Sequence, residues 1–82
     1  MTRPLVTASV ALVPAVRAEP GCFLFQAHRG WAVPELVVFY EIFRDYPAFE
    51  SHKSAEHTKK WFRDIEPLAA SPVEVMVLNA ID

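Results

Sequence analysis

From Leu36 to Phe43 the chain reads LVVFYEIF, an apolar run rich in β-branched and aromatic residues and interrupted by one charge, Glu41. That is the composition of a strand buried on both faces. Side chains alternate across a strand, so Leu36, Val38, Tyr40 and Ile42 share one face, and Val37, Phe39, Glu41 and Phe43 share the other. Helices of the same chain can cover one of these faces. The second asks for another sheet, and a partner chain is the obvious source.

The chain has 82 residues, 52% of them apolar, which fits one small domain spanning residues 1–82. A chain of this size is marginal alone, so oligomerisation is a natural supplement. A formal net charge of −2 without any basic run argues against nucleic acid or an anionic membrane as partner. Leu5 to Val16 is apolar but too short to span a bilayer. Arg3 followed by an apolar stretch imitates a secretory signal only weakly. One cysteine, Cys22, cannot form an internal disulfide and suits a reducing cytoplasm.

Read in order, Ala8 to Arg17 forms a helix with Val10, Val13, Ala15 and Val16 as its apolar stripe, stopped at Glu19-Pro20-Gly21. Pro14 keeps a strand over residues 5–13 open as the alternative. Phe23 to Arg29 reads as a strand with Phe23, Phe25 and Ala27 on one face, joined by a short turn over Gly30 to Pro34 to the central strand. Asp45 then caps a helical segment that tolerates Pro47 in its first turn. Ala55 to Ala69 forms a second helical segment with Trp61, Ile65, Leu68 and Ala69 as core face. Ser71-Pro72 stops it, and Val73 to Leu78 is expected to be a closing strand. The order helix, strand, strand, helix, strand is α+β. It matches a ferredoxin-like unit whose first strand is shortened or missing.

At this point the residues resemble a known family. The tetrad Glu19-Pro20-Gly21-Cys22, the pair His28-Arg29, Pro34 ahead of Phe39-Tyr40-Glu41, and then Asp45, Ala48, His52 and His57 resemble the antibiotic biosynthesis monooxygenase (ABM) domain, over about Ala8 to Leu78. The resemblance implies a homodimer of ferredoxin-like sheets packed face to face, with a substrate pocket between helices and sheet. It also implies oxygenation of a quinol, phenol or polyketide-like small molecule with molecular oxygen as co-substrate and no other cofactor. Other activities of the family are haem degradation and a sugar isomerisation, and some members have no known activity. Members usually begin with a strand, so either an upstream segment supplies it or this is a shorter copy. The haem-degrading branch carries its ligand histidine where this chain has Phe62, so haem is not expected.

By this resemblance His52 is the family's recurrent histidine and His57 a second, less constant one. Oxygenation without a cofactor needs a base that makes an electron-rich phenolate inside an apolar pocket, and histidine is suited to that near neutral pH. His52 is the candidate base, with His57 and the aromatic residues Tyr40, Phe49 and Trp61 as substrate contacts. A structural role for His52, satisfying a carbonyl or a turn, stays open beside it. No metal is expected from His52, His57 and Glu56, since the i, i+5 spacing of the histidines sends their rings to different sides of one helix. Buried Glu41 requires a partner or a raised pKa. Cys22 reads as a core residue, His28 as an interface residue and Trp31 as part of a turn or contact. The alternatives to the oxygenase are a non-catalytic ligand-binding or stress-associated dimeric module of the same fold, and an isomerase in which His52 shuttles a proton.

Overall fold

Residues 5–13, ambiguous between helix and strand, are helical. The computed structural model describes residues 2–81, with side chains over 4–81, and its first element is α1 (Thr2–Arg17). Ser9, Leu12 and Val16 are its buried residues, with Leu5, Ala8 and Val13 packed beside them. This stripe recurs at the helical period. It differs from the expected stripe at Val10, which is 57% exposed, because the buried line passes through Ser9 instead. Pro14 lies on the exposed side, where the backbone bond it lacks, to the carbonyl of Val10, faces water and the helix continues through it.

After α1 the chain turns through Glu19-Pro20-Gly21 and enters β1 (Cys22–Arg29), which pairs antiparallel with β2 (Val37–Phe43). Phe25 stands opposite Glu41 and Ala27 opposite Phe39. A bulge between Cys22 and Leu24 changes the expected facing of β1. The extra residue turns Phe23 outward, where it is 66% exposed, and brings Cys22 against the core. The alternation in β2 holds: Val37, Phe39, Glu41 and Phe43 lie on the half-buried face, while Val38, Tyr40 and Ile42 are exposed.

Asp45 caps α2 (Tyr46–Ser54), its carboxylate accepting from the Ala48 backbone N–H at 2.9 Å, with Pro47 accommodated in the first turn. Ala55, extended at φ −66° and ψ 144°, ends α2 and opens α3 (Glu56–Ile65). The expected helix to Ala69 is therefore shorter. Glu66 to Leu68 form a turn: Glu66 keeps helical dihedrals and its N–H still reaches the Phe62 carbonyl, but Pro67 has no N–H with which to continue the helical ladder. Leu68 is exposed rather than buried, and the core face of α3 is Thr58, Trp61 and Ile65.

Leu12, Val16, Phe25, Trp61 and Ile65 form the core where α1 and α3 lie over the sheet, with Phe39, Phe43 and Cys22 at its margin. Arg17 Nε donates to the Phe25 carbonyl at 3.1 Å and ties the end of α1 to β1. The expected closing strand over Val73 to Leu78 is not formed among the described residues. Val73, Val75, Met76, Val77 and Leu78 are exposed and enter no ladder. An alternating apolar pattern becomes a strand only where a sheet edge accepts its backbone groups, and here the segment leaves the turn after α3 without reaching one. The architecture is α+β and ferredoxin-like. Among the described residues no helix is long and apolar enough to cross a membrane.

Candidate functional site

The turn at Glu19, the break at Ala55 and the inner face of β2 bring four titratable side chains, Glu19, His52, His57 and Glu41, to one place. The turn starts where α1 ends, with the Glu19 backbone N–H donating to the Val16 carbonyl at 2.9 Å and the Cys22 N–H returning to the Glu19 carbonyl at 3.1 Å. Gly21 is buried against α2, and a Cβ there would stand 2.3 Å from the Ala48 Cβ. Only a residue without a side chain lets the turn approach this closely. The Glu19 carboxylate is thereby delivered to the junction of α2 and α3.

His52 is buried, 6% exposed, near the end of α2. Its Nδ1 lies 3.0 Å from Glu19 Oε2, and Thr58 Oγ1 lies 3.4 Å from the same nitrogen. His57 Nε2 lies 2.5 Å from that same Glu19 oxygen. One carboxylate oxygen thus receives both rings, and the bond from Nδ1–H leaves His52 Nε2 as the basic nitrogen. Nε2 stands 3.7 Å from Glu41 Oε1. Burial pushes the Glu41 carboxyl above its ordinary value; His52 opposes that rise and Glu19 adds to it.

Aromatic rings enclose the imidazole. Phe43 lies 5.0 Å from it between ring centres, Phe25 5.8 Å and Phe49 6.3 Å. Phe49 therefore belongs to the histidine's surroundings. Trp61 lies deeper, edge-on to Phe39 at 5.3 Å, with its indole N–H donating to Ser9 Oγ at 3.2 Å. Tyr40 requires a correction: it stands on the opposite face of the sheet, 55% exposed, because it alternates with Phe39 and Glu41, which face the helices. His28 and Trp31 are exposed. Burial raises the pKa of Cys22, with Glu19 and Glu41 adding to the effect, so this thiol is a poor nucleophile.

The spacing argument that separated His52 from His57 also requires correction. It assumed one continuous helix, whereas Ala55 places the two histidines on different helices whose rings converge. The acid they share is Glu19, not Glu56. Glu19, His52 and His57 offer three donor atoms within 4.8 Å of one another, a set able to hold a cation. Glu19 was legible only as part of the turn, since nothing in local spacing says which side chain the turn points at. Thr58 and Ser9 were missed because small hydroxyl residues carry no periodic apolar signal.

Beside this cluster, Glu19, Pro20, Gly21, Ala48, Ser51 and Ala55 line a cavity of about 190 Å³. A second, of about 70 Å³, lies between α1 and the sheet and is lined by Ser9, Ala27, His28 and Val37 among others.

The whole-chain comparison gives the same architecture. A protein of Nitrosomonas europaea, assigned by name to the antibiotic biosynthesis monooxygenases, superposes with a TM-score of 0.93 at 20% identity over 99% of this chain and 85% of its own. Rv0793 from Mycobacterium tuberculosis is 29% identical, with a TM-score of 0.86 over 95% of this chain and 79% of its own. SO0527 from Shewanella oneidensis is 30% identical, with a TM-score of 0.77 over 82% of this chain and 65% of its own. No curated protein matches the chain. Residues 5–64 match the family model for antibiotic biosynthesis monooxygenase, a span that holds most of α1, both strands and the Glu19, His52 and His57 cluster, and the chain belongs to that family.

Proposed function

We propose that the chain is a cofactor-independent monooxygenase of a quinol or phenolic small molecule, working in the cytoplasm as a homodimer with His52 as its base. The observation that carries this reading is the buried His52, held at Nδ1 by Glu19 and enclosed by Phe25, Phe43 and Phe49. An imidazole anchored by a carboxylate keeps Nε2 free to take a phenolic proton. Glu41, 3.7 Å from Nε2, favours the imidazolium when it is ionised. The resulting quinolate passes electrons to oxygen within an apolar surround. One oxygen atom enters the ring, the other leaves as water, and the substrate supplies all four electrons as it becomes a hydroxyquinone.

The homodimer is supported by the outer face of the sheet. Phe23, Leu36, Val38, Tyr40 and Ile42, each at least 42% exposed, form an apolar surface of the kind a second sheet covers. Tyr40 then belongs to the contact between copies. The test of function is oxygen uptake by the purified protein with a panel of quinols. Consumption matched by a hydroxyquinone product supports the proposal.

A second reading is a non-catalytic ligand-binding module of the same fold, taking a ligand small enough for its cavities. At about 190 and 70 Å³ both are smaller than the roughly 300 Å³ usual for a drug-sized ligand. Thermal stabilisation by a quinol without oxygen uptake supports that reading instead. An isomerase in which His52 shuttles a proton is distinguished by turnover without oxygen.

A further inference from the structure

We propose that Glu19, His52 and His57 form a binding site for a single transition-metal dication of the zinc, cobalt or nickel type, and that occupancy withdraws His52 from service as a base. Two imidazoles and one carboxylate are the donor set that such ions favour, whereas magnesium and calcium prefer oxygen alone. The three donor atoms lie within 4.8 Å of one another, and Glu19 Oε2 is 3.0 Å from His52 Nδ1. Ligands about 2.1 Å from one ion are separated by roughly 3.0 to 3.4 Å; the Glu19–His52 spacing of 3.0 Å lies in that range, while His57 Nε2, 2.5 Å from Glu19 Oε2, must draw back as the ion enters between them. His57 and Glu19, with side chains 31% and 15% exposed, give the ion an entry path, and Glu19 borders the 190 Å³ cavity, where further positions on the ion remain for water.

An independent observation supports the assignment. A histidine that binds metal through one nitrogen usually donates its other ring N–H to a carboxylate. Glu41 Oε1 stands 3.7 Å from His52 Nε2, on the side of the ring away from Glu19, and would have to close by about 0.5 Å to accept that N–H. The same geometry fixes the consequence. With the ion on Nδ1, the proton of neutral His52 moves to Nε2, and the nitrogen assigned above as the base no longer accepts one. Binding of the ion stands by itself, while inhibition rests on the oxygenase reading.

The test is titration of the untagged, chelator-treated full chain with Co²⁺ followed by visible absorption, and with Zn²⁺ by calorimetry. The expected result is one equivalent bound per chain at micromolar or tighter Kd, weakened at least tenfold in Glu19→Gln and in His57→Gln, with Mg²⁺ not competing. His57 is partly exposed, so His57→Gln retains the fold, and circular dichroism verifies it. No saturable binding below about 100 µM, roughly a hundredfold above a micromolar Kd, overturns the proposal. So does equal affinity in folded His57→Gln. These readouts need no turnover. If quinol oxidation is present, Zn²⁺ at saturation abolishes it and chelation restores it. Undiminished oxidation by the loaded protein overturns the inhibitory role.

Discussion

Glu41 shows how burial acts on a single residue. Its carboxyl sits in the half-buried row of β2 with Phe39 and Phe43, beside His52 of α2, and its pKa is raised above the ordinary value, chiefly because burial disfavours its charge. A pKa raised by folding means that the native state holds the proton more tightly than the unfolded chain does. The associated stability is complete below about pH 4.3, the ordinary value for glutamate, and is lost as pH rises through the raised value. Glu41→Gln is therefore expected to raise the melting temperature at neutral pH and flatten its fall between acidic and neutral pH, as measured by thermal scans across that range. Trp61 and Ser9 make a second residue-scale test. Ser9 is 1% exposed and its hydroxyl receives the indole N–H. Trp61→Phe leaves that hydroxyl without its donor and is expected to cost about 1 to 3 kcal/mol. A Ser9→Ala, Trp61→Phe double variant should lose less than the sum of the two single changes in chemical denaturation.

Elements were legible in the sequence wherever a pattern stood without a tertiary condition. The period-two run of Leu36 to Phe43, the Asp45 cap and the Pro-Gly turn all carry their cause locally, and each element stands where expected. Phe23 was assigned to the wrong face because a bulge is a property of pairing and not of one strand. Val73 to Leu78 alternates as a strand does, yet forms none: strand formation also requires pairing with a sheet edge, and this segment joins neither edge of the two-stranded sheet. In the site, His52 and Phe49 were legible, while Glu19 and the convergence of His57 depended on two turns whose directions no periodicity specifies. The turn at Gly21 is testable. Its α-carbon approaches α2 so closely that Gly21→Ala must displace Ala48, and overpacking of this kind costs about 1 to 3 kcal/mol. Because Ala48 and His52 share a face of α2, the same variant is expected to lower quinol turnover more than its loss of folded protein explains, measured per folded molecule.

At the scale of the whole molecule, one face of the sheet carries the helices and the histidine cluster, and the other presents Phe23, Leu36, Val38, Tyr40 and Ile42 to solvent. If two copies join through that face, a charge at its centre disrupts them. Ile42→Glu is expected to shift the protein from dimer to monomer in analytical ultracentrifugation, leaving His52 and Glu19 unaltered on the opposite face. A wild-type protein that sediments as a monomer contradicts the dimer. The central claim, that buried His52 is the base of an oxygenation without a cofactor, is tested most directly by the oxygen-uptake rate of folded His52→Ala with a quinol the parent consumes. The account predicts a loss of about a hundredfold or more, the usual contribution of a general base. A rate equal to the parent's would contradict it.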